Sequence, residues 1–401
     1  MKVRIAHVEH LAWILVLVIL FGQMLFSGFS ILSNLALAYI SIMQITRIEV
    51  SSKKYYAALI GGILLLMGYS VFLGNSVGNA TRFALIIVFI LSAYSWKVDS
   101  RVFLRTLFYV SSIVVLGLIG LEIFLFSISN AEYLAIRNEI VLANNMGDVF
   151  NYHDIYFKLE LRGTPLIVFV YMLSYVAEVF PSNYKWIFRI YYLVGALLAG
   201  NFAYQLAIII FHFVYYMISA FDNPQLLVKK VIRLSIILVF VGGTLFSFVS
   251  DTMKAKNEAE SNPIRYDQAE VLLNDMSKSV TTLLLGSGLG HTMSVKTSWR
   301  DYRESTYYEL QTLYIFNQLG LIGFTLLVIA NIVLAFRTIR RRELLMVYGV
   351  YATYAFTNPY IWDTNHIVVI VSLLCAQSQL HLKQKKNEKG NLCLSPVQSI
   401  G

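Results

Sequence analysis

Residues 313–342 read LYIFNQLGLIGFTLLVIANIVLAFRTIRRR. The apolar part, 313–336, has the length that a bilayer demands of a helix, about 20 residues. It stops at Arg337, Arg340, Arg341 and Arg342. An apolar run closed by arginines is the mark of a membrane helix whose end is held on the cytoplasmic side. Working outward, eleven further runs of similar character lie at 10–26, 28–46, 55–73, 82–96, 106–127, 164–180, 186–200, 203–221, 231–250, 344–358 and 366–382. The expected fold class is therefore an all-α polytopic integral membrane protein with about twelve spans.

The lysines and arginines divide by loop parity. Of the 32 in the chain, 21 lie in the termini and the short loops that would share one side of the membrane. The short loops of the other parity hold Arg82 alone. The remaining ten fall in two long loops, 128–163 and 251–312. Positive residues in short loops stay cytoplasmic. This reading places both termini inside and the two long loops outside. A missed helix would invert half of the alternation.

Composition agrees with a membrane class. The chain is 57% hydrophobic and 14% charged, with a mean hydropathy of +0.64. Its net charge of +9 follows from basic loops facing anionic headgroups and calls for no nucleic acid. Cys375 and Cys393 give neither a disulfide framework nor a metal-ligand spacing. The first apolar run follows Lys2 and Arg4 without a small-residue cleavage site, so it reads as a retained helix. Residues 1–382 read as one transmembrane domain, and 383–401 as a disordered cytoplasmic tail. No internal repeat is visible, which weakens an inverted-repeat transporter.

Chemistry is expected in the two long loops. In 128–163, residues 130–143 place Leu134, Ile136, Ile140, Val141 and Leu142 among charges, the pattern of a short surface helix. Arg162 closes the loop just before Gly163, Thr164 and Pro165, at a depth where an arginine snorkels or meets an anion. His153, Asp154 and Glu160 lack metal-ligand spacing.

In 251–312, Asn262 and Pro263 stand where a helix begins. This predicts Arg265 in the first turn and an apolar face of Ala269, Leu272 and Leu273. Gly286, Gly288 and Gly290 form a glycine turn that lacks the strand and βαβ unit of a dinucleotide fingerprint. Two readings remain for it: backbone N–H groups exposed toward an anion, or a tight turn returning the chain to the membrane. His291 is a candidate general base, set against a simply exposed histidine. Glu309, at the entry to the tenth run, is either the partner of an arginine or a group that activates a hydroxyl. Tyr302, Tyr307 and Tyr308 are candidates to stack on sugar rings.

Several of these stretches share a pattern. RYDQAEVLL at 265–273, GSGLG at 286–290, YELQ at 308–311 running into QLGLIGF, LELRGTPLIVF at 159–169 and TNPYIW at 357–362 together resemble the O-antigen polymerase family. The resemblance implies a bacterial inner-membrane glycosyltransferase with a GT-C-like helical fold. Such an enzyme transfers a growing glycan from undecaprenyl diphosphate to a lipid-linked repeat unit, making O-antigen, capsule or exopolysaccharide. It would use no cofactor and no metal. Its partners would be the undecaprenyl-diphosphate-linked oligosaccharide, membrane lipids and a chain-length regulator protein. By the resemblance, Arg162 and Arg265 would hold the lipid diphosphate, with Gln268 and Tyr308 in the substrate site. Arginine suits that task because its planar fork is permanently charged. Glu309 would be the first candidate base and His291 the second.

Two stretches depart from the pattern. Many members carry an arginine at the outer end of a middle span, where this chain reads LLAGNFAYQLA with Asn201 and Gln205. One anion-binding position is thereby missing. Ligases tend to show a His-Asn pair where this chain has Tyr308 and Glu309, which favours a polymerase. The rival readings are an O-antigen ligase, with the same donor and a different acceptor, and a flippase or other transporter. A transporter would place its charges within spans around a cavity. Here Glu122 and Glu178 lie near span ends.

Overall fold

The computed structural model describes residues 2–22, 30–46, 50–236 apart from 145, 153–155, 219 and 222, then 261–297, and 301–392 apart from 307, 357 and 359. The elements in chain order are α1 (Lys2–Gly22), α2 (Ser30–Thr46), α3 (Val50–Phe72), α4 (Val77–Ala93) and α5 (Ser100–Ser127). Then come α6 (Asn130–Ala135), which continues as a π turn over Ile136–Leu142, and strands β1 (Gly147–Tyr152) and β2 (Tyr156–Leu161). They are followed by α7 (Thr164–Val176), α8 (Lys185–Leu198) and α9 (Phe202–Ile218). Helix α10 is described over 224–236. The last five are α11 (Ser261–Met276), α12 (Val280–Leu285), α13 (Gln311–Thr338), α14 (Arg342–Phe356) and α15 (Thr364–Leu392).

Each of the twelve expected runs contains a helix. Ser100–Ser127, Gln311–Thr338 and Thr364–Lys383 are long and apolar enough to cross a membrane. The other apolar helices are shorter, such as Tyr56–Phe72 and Phe202–Ile218. Expected run 231–250 lies largely outside the described residues. Helix α15 runs on through Leu392, well past the expected start of a disordered tail at 383.

Helix α7 is the centre of the packing. Thr164 to Ser174 are buried without interruption, because α5, α8, α9, α14 and α15 surround them. Its start is fixed locally. Gly163 takes a positive φ of 87° and Pro165 occupies the first turn, where a missing N–H costs nothing.

Helix α13 is two segments. Gly320 leaves helical geometry with φ 64°. Before it, Gln311, Thr312, Asn317 and Gln318 are buried in protein. After it, Leu321, Ile322, Leu326, Ile329 and Phe336 stand 47–67% exposed. The apolar segment 321–338 would measure about 27 Å at 1.5 Å per residue, close to a hydrocarbon core. The buried segment Gln311–Leu319, about 13 Å of helix, stands between Glu309 and the exposed apolar segment.

In loop 128–163 the short helix forms with a capping box. Ser129 accepts from the Glu132 amide, and Glu132 reaches back to the Ser129 amide. The antiparallel hairpin β1–β2 that follows pairs Gly147 with Leu161 and adds strands to a chain expected to be all-α. Its second strand alternates half-buried and buried residues. It rests on α5, where the buried Glu122 accepts from the Phe157 amide at 2.8 Å.

Contacts between loops sort into two ends. At one, Glu9 meets Gln44, Gln44 meets Lys97, Gln379 meets Ser100, Gln377 meets Thr338 and Arg340, and Lys383 meets Glu178. At the other, Asn75 meets Ser287, Asn201 meets Glu160 and Asn358, and Thr312 meets the carbonyl of Phe356. None of these contacts joins loops of unlike parity.

Candidate functional site

The second end carries the motifs that the sequence singles out. Two clusters form there. The first is built from α11, the glycine turn and the outer segment of α13. Gln268, fully buried on α11, accepts from the Leu310 amide at 3.2 Å. Its other amide atom, Nε2, has no hydrogen-bond partner among the described residues. This brings Arg265, one turn before Gln268, against Glu309. Arg265 Nε donates to Glu309 Oε2 at 3.1 Å, and the two side chains are 30% and 32% exposed. Nε is the one atom of the guanidinium that finds an acceptor among the described residues, so Nη1 and Nη2 remain open.

Helix α11 differs from expectation in two respects. Arg265 follows the first turn rather than lying in it, because the chain is already helical at Ser261, the first described residue of this stretch. The buried stripe is Gln268, Leu272, Asp275 and Met276, while Leu273 is 51% exposed. The spacing i, i+4, i+7, i+8 is that of one helix face. Gln268 and Asp275 are polar, and an apolar-periodicity reading passes over them.

Asp275 is the hub of this cluster. Its carboxylate accepts from Lys278 at 2.5 Å, Asn317 at 2.9 Å and Ser287 at 3.1 Å, and lies 3.1 Å from His291 Nε2. Burial alone would raise its pKa. The hydrogen bonds from His291, Asn317 and Lys278 outweigh that and hold it well below the ordinary value. His291 is thereby a structural member. Its Nε2 faces Asp275, its Nδ1 lies 3.4 Å from Asn75, and its carbonyl accepts from Tyr314. A base needs a nitrogen that points at substrate, and both of these point into the fold.

The glycine turn packs rather than cradles. The amides of Ser287 and Gly288 donate to the carbonyls of Asn317 and Gln318, that of Leu289 to Ser70, and that of Gly290 to Gln318 Oε1. None of these is left for an anion. A Cβ on Gly290 would stand 2.5 Å from the Ala80 nitrogen. This settles the two readings of the turn in favour of tight packing.

Tyr302 and Tyr308 are fully buried and stacked, with centroids 5.5 Å apart and planes at 7°. Tyr308 also lies 4.4 Å from Tyr314. They stack on each other in the core and present no face to a sugar. Tyr307, His153 and Asp154 lie outside the described residues.

The second cluster joins β2, the 199–201 turn and the loop after α14. Asn201 caps α9 by accepting from the Ala203 amide at 3.0 Å. Its Nδ2 donates to Glu160 and, at 3.4 Å, to Asn358. Lys158 pairs with Glu160 on the same strand face and packs against Gly200. Asn358 donates to the Tyr354 carbonyl, and Tyr354 donates to that of Pro165. Three separate stretches, LELRGTP, LLAGNFAY and TNPYIW, thus meet at Asn201. Arg162 borders this cluster with an exposed side chain and no ion pair among the described residues. The two clusters are linked through Thr312, which donates to the Phe356 carbonyl at 2.8 Å.

No family model matches this chain, and no curated protein is detectably similar to it.

His366, like Asp275, is an ionisable group that the sequence reading passes over. His366 is fully buried in α15, and its Nδ1 lies 2.5 Å from the carbonyl of Ile361. That carbonyl can only accept, so Nδ1 carries the proton and Nε2 accepts from Tyr348 at 2.9 Å. Tyr348 accepts in turn from Asn331 at 2.6 Å, beside Tyr94 at 2.8 Å. In the sequence His366 is a single letter ahead of IVVIV, where an apolar reading absorbs it. Among the described residues no group of three or more His, Cys, Asp or Glu is placed to hold a metal ion.

Proposed function

We propose that this chain is a polysaccharide polymerase of the bacterial inner membrane. In this reading it has about twelve spans in a GT-C-like arrangement, both termini in the cytoplasm, and loops 128–163 and 251–312 outside. It transfers a growing glycan from undecaprenyl diphosphate to a lipid-linked repeat unit. The sorting of loop contacts by parity supports the alternation of sides. A chain-length regulator protein is the further partner that this reading expects.

The observation that carries the proposal is the Arg265–Glu309 pair. A guanidinium with two open nitrogens lies beside a carboxylate, at the end of the bundle where the family-like stretches converge. The guanidinium suits a diphosphate leaving group, for which fixed positive charge is the main catalytic contribution. The carboxylate suits an acceptor hydroxyl that must lose a proton. Arg162, exposed and without an ion pair among the described residues, is a further cation at that end. His291, held by Asp275, and the buried Tyr308 take no part in the chemistry.

The test is polymer formation in cells that lack the native protein and carry variants. Arg265→Ala and Arg265→Lys should both nearly abolish polymer at unchanged protein level, because lysine lacks the planar fork. Wild-type polymer from Arg265→Ala removes the residue from the mechanism. Attachment of single repeat units to an acceptor lipid, without chains of repeats, would indicate a ligase instead.

A further inference from the structure

The Arg265–Glu309 pair uses one edge of the guanidinium. Nε is committed to Glu309 at 3.1 Å, while Nη1 and Nη2 donate to nothing among the described residues. Both side chains are about a third exposed, so an anion can reach the open edge from solvent. Gln268 fixes the backbone beside Glu309 through the Leu310 amide, and Asp275 anchors the far end of the same helix. The carboxylate and the open edge are therefore held side by side on one guanidinium.

One cation shared by two anions couples them. Whatever neutralises one anion strengthens the pull of the cation on the other. We infer that Arg265 is shared between Glu309 and the leaving diphosphate, so that proton uptake by Glu309 hands the guanidinium's charge to the leaving group. This rests on the polymerase reading and adds to it a link between its two half-events.

The step balances without a further reactant. The acceptor hydroxyl oxygen bonds to the anomeric carbon of the donor. The bond from that carbon to the diphosphate oxygen breaks, and its electron pair stays on the diphosphate. The hydroxyl proton passes to the Glu309 carboxylate. As Glu309 becomes neutral it ceases to compete for Arg265, at the moment when negative charge appears on the diphosphate. Release of the proton to water then restores the pair and weakens the hold on the product. The alternative is that Glu309 merely orients Arg265, in which case losing the carboxylate weakens anion binding.

Pyrophosphate binding to the purified full-length protein in detergent separates these readings without any turnover. The wild type, Glu309→Gln and Arg265→Gln would be compared by calorimetry at neutral pH, with thermal unfolding to confirm that each is folded. Sharing predicts that Glu309→Gln binds pyrophosphate several-fold more tightly than wild type, and that Arg265→Gln binds at least tenfold more weakly. Equal or weaker binding by Glu309→Gln overturns the sharing and leaves the donor site standing. Equal binding by wild type and Arg265→Gln, or no binding by either, overturns the donor site as well. If Glu309→Gln does not fold, Glu309→Ser carries the same expectation.

Discussion

Gly286 and Gly320 meet with positive φ angles of 83° and 64°, so closely that a Cβ on Gly320 would stand 2.3 Å from the Gly286 nitrogen. This contact fastens the glycine turn to the break in α13. It separates the buried polar segment Gln311–Leu319 from the exposed apolar one. Gly320→Ala therefore meets backbone on one side and left-handed strain on the other. We expect a loss of well over about 1 kcal/mol, seen as a lower thermal midpoint and less folded protein in the membrane fraction. A midpoint equal to wild type would mean that the turn and the helix do not touch.

The depressed pKa of Asp275 gives a pH dependence with a definite sign. A carboxylate held below its ordinary value, about 4, adds stability that is fully present above that value. The contribution is lost as pH falls through the lower folded value. Thermal stability of the purified protein should therefore drop as pH falls below about 4. Asp275→Asn should remove that part of the acid dependence and lower stability at neutral pH by about 2 kcal/mol, through hydrogen bonds lost at a buried acceptor. An unchanged neutral midpoint would show that Lys278, Asn317 and His291 gain nothing from the carboxylate.

Asn201 is predicted to matter for assembly rather than for anion binding. Asn201→Ala removes the cap of α9, worth about 1 kcal/mol, and the links to Glu160 and Asn358. Asn201→Asp keeps the cap and places a negative charge against Glu160. Both should lower the thermal midpoint, and Asn201→Asp should do so more strongly, because it sets a second carboxylate against Glu160. Pyrophosphate affinity at Arg265 should be unchanged in Asn201→Ala.

Sidedness is open to direct labelling. In a background with Cys393→Ser, the remaining Cys375 is buried. Lys296→Cys should react with a membrane-impermeant thiol reagent in spheroplasts, and Arg340→Cys should react after lysis alone. The opposite pattern would invert the proposed topology.

How much is legible follows from what each feature looks like as letters. The helices are readable because lipid and protein interior both select apolar residues, and α13 shows where that fails. Its run of apolar letters begins at Leu313, yet the exposed apolar segment begins at Leu321. Asn317 and Gln318 look like stray polar letters in a span, and only the fold gives them Asp275 and the glycine turn as partners. Gly286, Gly288 and Gly290 look alike whether their amides hold an anion or the chain's own carbonyls. The proximity of Arg265 and Glu309 needs the fold, because 44 residues separate them. The meeting of Glu160, Asn201 and Asn358 needs it for the same reason. The β1–β2 hairpin is hidden because its short strands sit among charges and lack a marked turn.

The most direct measurement is reconstitution. Purified protein in liposomes would be incubated with a synthetic undecaprenyl-diphosphate repeat unit from a source strain, and the products read by mass spectrometry. The expected product is a ladder of lipid-linked oligomers spaced by one repeat mass, with free undecaprenyl diphosphate released at each addition. Arg265→Lys in the same liposomes should give none. Unchanged substrate in the presence of folded wild-type protein, or an equal ladder from Arg265→Lys, would contradict a polymerase that works through this arginine.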